Sequence, residues 1–167
     1  MRLFRKYEFH VLEAQIEDYA HLENIHAQSF ERPWSVDELV STLAVKGTRC
    51  FVANIKGKSS KGPKGFVIIR TIAGQSEILT IATDRSFRNR GIARLLLEFV
   101  IRNLQADRVG QLYLEVSENN SIALGLYKSM NFKQVAKRSA YYRIRGGGQD
   151  KQADQKVNAL VMELELR

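Results

Sequence analysis

Cysteine is nearly absent from this 167-residue chain: Cys50 stands alone. A single thiol excludes an intramolecular disulfide framework and agrees with a reducing compartment. It lies in the apolar run "CFVANI" and so reads as a small packed hydrophobe rather than a nucleophile. Histidine is scarce as well. His10, His21 and His26 lie towards the N-terminus without paired ligand spacing, so no metal site is expected. No run approaches the roughly 18 apolar residues that span a bilayer. The opening "MRLFRKYEFH" carries charge without the apolar segment of a secretory signal. The expectation is a cytoplasmic protein with no membrane association. Acidic residues are also in deficit, with 18 Asp and Glu against 26 Lys and Arg and a net charge of +8. Such a surface attracts phosphates, either of a nucleotide-like cofactor or of nucleic acid and its protein complexes. Charge alone does not separate these.

What is present fits one domain spanning 1–167, with 44% apolar and 26% charged residues. Phe9–Leu12 reads as a short extended segment, and residues 15–30 carry apolar positions three or four apart, as in a helix. In "RPWSVDELVSTL", Ser35 and Glu38 form a capping box that starts a second helix. "CFVANI" and "GFVIIRTI" flank a Gly/Ser/Lys/Pro turn and predict an antiparallel hairpin. "SEILTIATD" is a further strand. After Gly91 the period changes, and Ile92, Leu95, Leu96, Phe99 and Val100 form a helical stripe. "QLYLEVS" is again a strand, "NNSIALGLYKSMNF" a short helix, and "FKQVAKR" and "ALVMELEL" are closing strands. Residues 145–157 are polar, glycine-rich and aperiodic, which predicts a mobile loop. The fold class is therefore α/β with a mixed, mostly antiparallel sheet flanked by helices, one helix crossing between two parallel strands.

The segment "RSFRNRGIARLLLEF" gathers Arg85, Arg88, Arg90 and Arg94 around Gly91 where that crossing helix begins. Free N–H groups at a helix N-terminus bind anions, and Gly91 and Ala93 leave room for a phosphate to approach the backbone. The Gly-Lys-Ser/Thr ending of a nucleotide-triphosphate loop is missing, and one glycine does not make a dinucleotide fingerprint.

The spacing Arg88-x-x-Gly91-x-Ala93 resembles the R/Q-x-x-G-x-G/A signature of the GCN5-related N-acetyltransferase (GNAT) superfamily. With "FERPWS", "IATD", "LYLEVSENNSIALGLYKSMNF" and "AYY…ALVMELEL" in order, the chain is similar to the ribosomal-protein alanine N-acetyltransferases from about Ile16 onwards. Ser117, Asn131 and Ala140 stand where that family carries arginine, glycine and asparagine. The resemblance implies a single-domain GNAT fold and acetyl-coenzyme A as cosubstrate. The donor would be held by Arg88, Asn89, Arg90, Gly91, Ile92, Ala93 and Arg94, by Asn120, and by the backbone at Ile81, Ala82 and Thr83. It also implies a protein N-terminus as partner, foremost an alanine-starting ribosomal protein.

Glu115 matches the family's general base. By pattern alone it is a carboxylate on the face of its strand shared with Tyr113, opposite Leu112, Leu114 and Val116, and a solvent-facing role fits equally. Tyr127 matches the general acid, and otherwise reads as a half-buried helix tyrosine; a phenol is protonated at neutral pH and can donate. Asn120 also reads as a helix cap. Trp34 is either a staple on the core or part of the peptide-binding side, where the resemblance also puts Tyr141 and Tyr142. Two alternatives stay open: a GNAT acting on lysine or a small amine, and a basic, non-catalytic ribosome- or RNA-binding module. The basic stretches lack the interleaved aromatics of an RNA surface, so direct nucleic-acid binding is not expected.

Overall fold

A computed structural model describes residues 7–57, 61–144 and 155–166, with the backbone alone for 140–144, 155 and 156. In chain order the elements are β1 (Phe9–Glu13), α1 (Tyr19–Ala27), α2 (Val36–Leu43), β2 (Thr48–Ile55), β3 (Gly65–Ile72) and β4 (Gln75–Thr83). They continue with α3 (Ile92–Ala106), β5 (Gln111–Ser117), α4 (Ser121–Ser129), β6 (Lys133–Ile144) and β7 (Gln155–Glu165). The strands form one sheet in the order β1-β2-β3-β4-β5-β7-β6. β4 and β5 are parallel, joined by α3, and the other neighbouring pairs are antiparallel. This is the mixed α/β arrangement the sequence predicts.

Two clusters divide the core by sheet face. On one, α3 presents Ile92, Leu96, Leu97, Val100 and Leu104, and α4 presents Tyr127, to Val67, Ile69, Leu112, Leu114 and Val116. On the other, Leu22, Ile25 and Leu39 of α1 and α2 pack on Cys50, Val52, Phe66, Ile68 and Ala82. β5 alternates strictly, so Leu112, Leu114 and Val116 point to the α3/α4 side and Tyr113, Glu115 and Ser117 to the other. Gly65 lets α3 sit close to the sheet, because a Cβ there would lie 2.7 Å from Ile92 Cγ2. Cys50 is buried, and burial pushes its thiol well above the ordinary range, as suits a packing residue.

Two sequence expectations change. Residues 15–30 are not one helix: a 3-10 turn at Ile16–Asp18 precedes α1, which ends at Ala27. Gln15 N–H donates to Asp18 Oδ2 (2.9 Å), tightening the first turn, and Ile16 is left outside the core at 69% exposure. The proposed 145–157 loop also ends sooner, because 155–157 belong to β7, where Val157 pairs with Tyr142. Residues 145–154 lie outside the described residues.

The α1–α2 junction turns on His26, which is 3% exposed and stacks with Phe30 and Trp34. Its Nδ1 accepts from the Trp34 N–H (3.1 Å), so the ring is neutral with its proton on Nε2. Ser35 then caps α2 by accepting from Glu38 N–H (3.2 Å), while Glu38 Oε2 accepts from Ser35 N–H (2.7 Å).

Burial lowers the His26 pKa below its usual 6.5, against the opposing charge of Glu38. An imidazole held neutral in the fold contributes stability that is complete above pH 6.5 and is lost as pH falls towards the lower folded value. Melting temperature is therefore expected to drop below pH 6.5, and His26→Asn, which keeps an acceptor near Nδ1 but cannot titrate, should flatten that slope. Identical slopes in melts of the two proteins from pH 5 to 8 would assign the acid sensitivity to other groups.

Candidate active site

The sheet opens at its centre. β4 and β5 pair from Gln75↔Gln111 to Ile78↔Leu114 and no further, although β4 runs on to Thr83 and β5 to Ser117. The cause is local. On β3, Ile68 pairs with Thr80 and Ile69 with Ile78, so Leu79 is an extra residue in β4, a bulge that bends the strand. Past it, the β4 edge towards β5 has no paired strand among the described residues. Ile81 and Thr83 are half-buried and Ala82 buried along this edge, so all three predicted backbone positions lie on the freed segment. Thr80 Oγ1 is buried beside the bulge without a hydrogen-bond partner.

On the α3/α4 side, the β4–α3 turn holds the basic cluster. Asn89 and Gly91 both have left-handed backbones (φ 58° and 80°), a geometry that turns successive N–H groups outward as an anion-binding nest. Gly91 caps α3 without a side-chain bond, so the first-turn N–H groups have no intrahelical acceptor. A Cβ on Gly91 would meet no atom within 4 Å, so the space over the turn is open. Arg88 Nη2 donates to Ser29 Oγ (2.9 Å), and Arg94 Nη2 donates to Ser129 Oγ (2.6 Å), tying the turn to the end of α1 and to α4. The Arg90 guanidinium lies 5.1 Å and 5.3 Å from the ring centroids of Tyr7 and Phe87. Ile92 is buried, so its side chain serves packing; Ala93 is half-buried. Asn120 caps α4, its Oδ1 accepting from Ala123 N–H (3.1 Å). Tyr127 is more deeply placed than the half-buried position its periodicity suggests, at 6% exposure with its ring 5.7 Å from that of Phe132.

On the opposite face lies a cleft of about 340 Å³ lined by Trp34, Thr42, Arg70, Glu77, Leu79 and Glu115. Glu115 is held by an ion pair with Arg138 (Oε1 to Nη1, 3.0 Å) and is 17% exposed. Trp34 stacks on His26, as a packing residue would, and also lines the cleft. The backbones of Tyr141 and Tyr142 belong to β6, where the register with β7 shifts between Arg138 and Tyr142, and their side chains lie outside the described residues. Thr42, Arg70, Glu77 and Leu79 were missing from the sequence-derived site. Arg70 and Glu77 face each other across the β3–β4 hairpin, in the register set by the two-residue turn at Ala73 and Gly74.

Glu115 and Tyr127 thus belong to opposite faces of the sheet, Glu115 on β5 just past the point where β4 and β5 cease to pair. The chain belongs to the GNAT acetyltransferase family: the model of the Acetyltransferase (GNAT) family matches residues 17–132. It is 30% identical over 150 residues to a [ribosomal protein bS18]-alanine N-acetyltransferase of Haemophilus ducreyi, covering 90% of this chain and 95% of that protein. Its fold matches the ribosomal-protein-S18-alanine N-acetyltransferase of Escherichia coli with a TM-score of 0.81, at 24% identity over 95% of this chain and 94% of the other. It also matches Arabidopsis thaliana NAA60 in complex with acetyl-CoA, with a TM-score of 0.80 and 20% identity over 95% and 98% of the two chains.

The enzyme is therefore an acetyltransferase with acetyl-coenzyme A as its donor. The residues fit that group: a left-handed nest, uncapped helix N–H groups, open space above Gly91 and surrounding arginines suit a pyrophosphate. Among the described residues no cluster of His, Cys, Asp or Glu could hold a metal ion, and no helix is long and apolar enough to cross a membrane.

If the turn holds the donor, acetyl-coenzyme A at about 100 times its Kd should stabilise the protein by about 2.7 kcal/mol, or roughly 5–10 °C for a chain of this size. Gly91→Val should lose that shift. A Cβ there meets no atom within 4 Å, but the substitution forces a β-branched residue to φ 80°, costing about 1–2 kcal/mol in the ligand-free protein. A full shift in the variant's thermal melt would place the donor elsewhere.

Proposed function

We propose that this enzyme acetylates the α-amine of a protein N-terminus, foremost an alanine-starting ribosomal protein of the cytoplasm. The observation that carries the reading is the break between β4 and β5 with Glu115 on the cleft side and Tyr127 on the α3/α4 side. The names of the bS18-alanine N-acetyltransferases to which the chain is similar supply the acceptor class.

Acetyl-coenzyme A supplies an acyl group activated as a thioester. The protein's part is to bind, orient and move protons. The turn from Arg88 to Arg94, with Asn120 at the start of α4, holds the donor's phosphates and fixes its approach along the unpaired β4 edge. Of the backbone N–H groups at Ile81, Ala82 and Thr83, those that alternate away from β3 are fixed dipoles beside the acyl carbonyl, and such preorganised donors are commonly the largest electrostatic contribution to acyl transfer. Across the gap, Glu115 takes a proton from the incoming ammonium, directly or through water, and its ion pair with Arg138 fixes the direction of the carboxylate. Tyr127 Oη holds the proton delivered to the departing thiol. Trp34 and Leu79 border the space for a small first side chain.

The acceptor class follows from the cost of deprotonation. A free α-amine titrates near 7.7–8.0 and a lysine near 10.4, a difference of roughly 2.5 units or about 3 kcal/mol. A single glutamate is suited to the first.

Removing the base as Glu115→Gln, or the proton as Tyr127→Phe, should each cut turnover at least about tenfold, within the usual range of general acid–base catalysis, while the acetyl-coenzyme A melt shift stays. Glu115→Gln should recover at high pH, where the amine is already neutral. Wild-type turnover in both variants would make these residues structural.

Acceptor type is decided by peptides beginning with free Ala or Ser, set against the same peptides with a blocked terminus and an internal lysine. Mass spectrometry should find acetyl on the free terminus alone. Acetyl on lysine, or on a small amine but on no peptide, would refute the N-terminal assignment.

A further inference from the structure

The end of the molecule where β1 begins and β4 leads into α3 gathers more positive charge than the donor's phosphates need. Among the described residues Lys61, Lys64, Arg85, Arg88 and Arg90 stand there without an ion pair. The acids beside them are engaged. Glu8 is paired with Lys56, and Asp84 Oδ1 accepts from Ser86 N–H (2.9 Å) and Ser86 Oγ (2.6 Å).

Neutral groups hold these cations in place. Arg85 Nη2 donates to Gln28 O (3.1 Å), Arg88 Nη2 to Ser29 Oγ (2.9 Å) and Lys64 Nζ to Lys61 O (3.0 Å). Lys64 Nζ also lies 5.3 Å from the centroid of the Phe87 ring, whose other cation is Arg90, shared with Tyr7. Tyr7, Phe9 and Phe87 pack on one another with centroids 5.5 to 6.4 Å apart. An aromatic face orients a cation without cancelling its charge, so its N–H donors stay available to phosphate. The basic stretches of the sequence hold no interleaved aromatics; the fold supplies them, bringing the start of β1, the β2–β3 turn and the β4–α3 turn into contact.

This patch lies apart from the path assigned to the donor. The freed β4 edge faces β5, and Arg94 reaches Ser129 of α4 on that side. Arg90 turns instead to Tyr7, ahead of β1, and β1 and β5 stand on opposite sides of β4 in the sheet. A contiguous row of oriented cations and aromatic rings matches a chain of phosphates bearing flat bases, not one phosphate group. We propose that it is a second binding surface, for single-stranded nucleic acid, and that it stays open while the donor is bound. The choice of RNA as the ligand rests on the ribosomal setting of the proposed acceptor; the surface itself does not.

The test titrates a labelled single-stranded RNA of about 12 nucleotides with the whole enzyme at saturating acetyl-coenzyme A, read by fluorescence anisotropy. If about five phosphates are neutralised, log association constant should fall against log salt with a slope of about −3.5. Lys61→Glu with Lys64→Glu should weaken binding at least about tenfold and flatten the slope by about 1.4. Lys46→Glu with Lys133→Glu makes the same charge change at exposed sites away from the patch, and should cost less than about threefold. The acetyl-coenzyme A melt shift, retained in both double variants, shows that they are folded. Equal losses in the two would reduce the surface to net charge and overturn it. Displacement of the RNA by acetyl-coenzyme A would assign its phosphates to the donor turn, which also overturns it. So does an absence of RNA binding at low salt, or capture of the enzyme by phosphatidylserine vesicles alone. None of these outcomes touches the N-terminal reading, which is decided on peptides.

Discussion

The site depends on one interruption of hydrogen bonding, the point at which β4 and β5 cease to pair. A continuous sheet would seal the two faces from each other and wall off Glu115 on one side of β5 from Tyr127 on the other. The bulge at Leu79 prevents this by shifting the β3–β4 register, so β4 bends away after Ile78 while remaining anchored to β3 through Thr80, Ile81 and Ala82. The strand stays rigid on one edge and exposes backbone on the other. That combination suits a ligand which adds its own hydrogen bonds to a sheet, because the donors are fixed before it arrives.

The two faces of the sheet carry separate cores, and both are in place without pairing across the gap. α1 and α2 pack on β2–β4 through Leu22, Ile25 and Leu39, whereas α3 and α4 pack on the opposite face through Leu96, Leu97, Val100 and Tyr127. β5 does not rely on the upper part of β4 for its backbone partners, since β7 pairs with it along its whole length from Gln111↔Glu165 to Ser117↔Ala159. Arg94 and Ser129 tie α3 to α4 at the rim, and Arg88 with Ser29 ties the basic turn to the end of α1. The turn is thus braced from both sides without closing the space over Gly91.

Much of this was legible in the sequence because it is written in local chemistry. The Ser35–Glu38 capping box, the alternation of "QLYLEVS" and the glycine-centred basic turn each depend on neighbours within a few residues, and each took its predicted form. Residues 15–30 misled because apolar spacing continues through a stretch where the Gln15–Asp18 contact favours a tighter turn. The α3 stripe omitted Leu97, which is fully buried because α3 packs against a broad sheet surface. The break in the sheet was not legible at all. "SEILTIATD" holds no glycine or proline to mark a bulge, so the displacement of Leu79 emerges only from pairing with β3. With it went Thr42, Arg70 and Glu77, cleft residues contributed by separate elements that share no motif.

Charge operates on two length scales in this molecule. The excess of 26 basic over 18 acidic residues creates a field that draws in polyanions, whether a phosphate-bearing donor or a ribosomal surface. Exposed charges are screened beyond about 8 Å at physiological ionic strength, so that field guides the encounter but discriminates little inside a cleft. Within the cleft the nearest groups dominate: Glu115 beside Arg138, Arg70 turned to Thr48, and Glu77 in register with Arg70. The basic exterior and the cleft, where Arg70 and Arg138 stand beside Glu77 and Glu115, therefore act separately, the first on the encounter and the second on groups within contact distance.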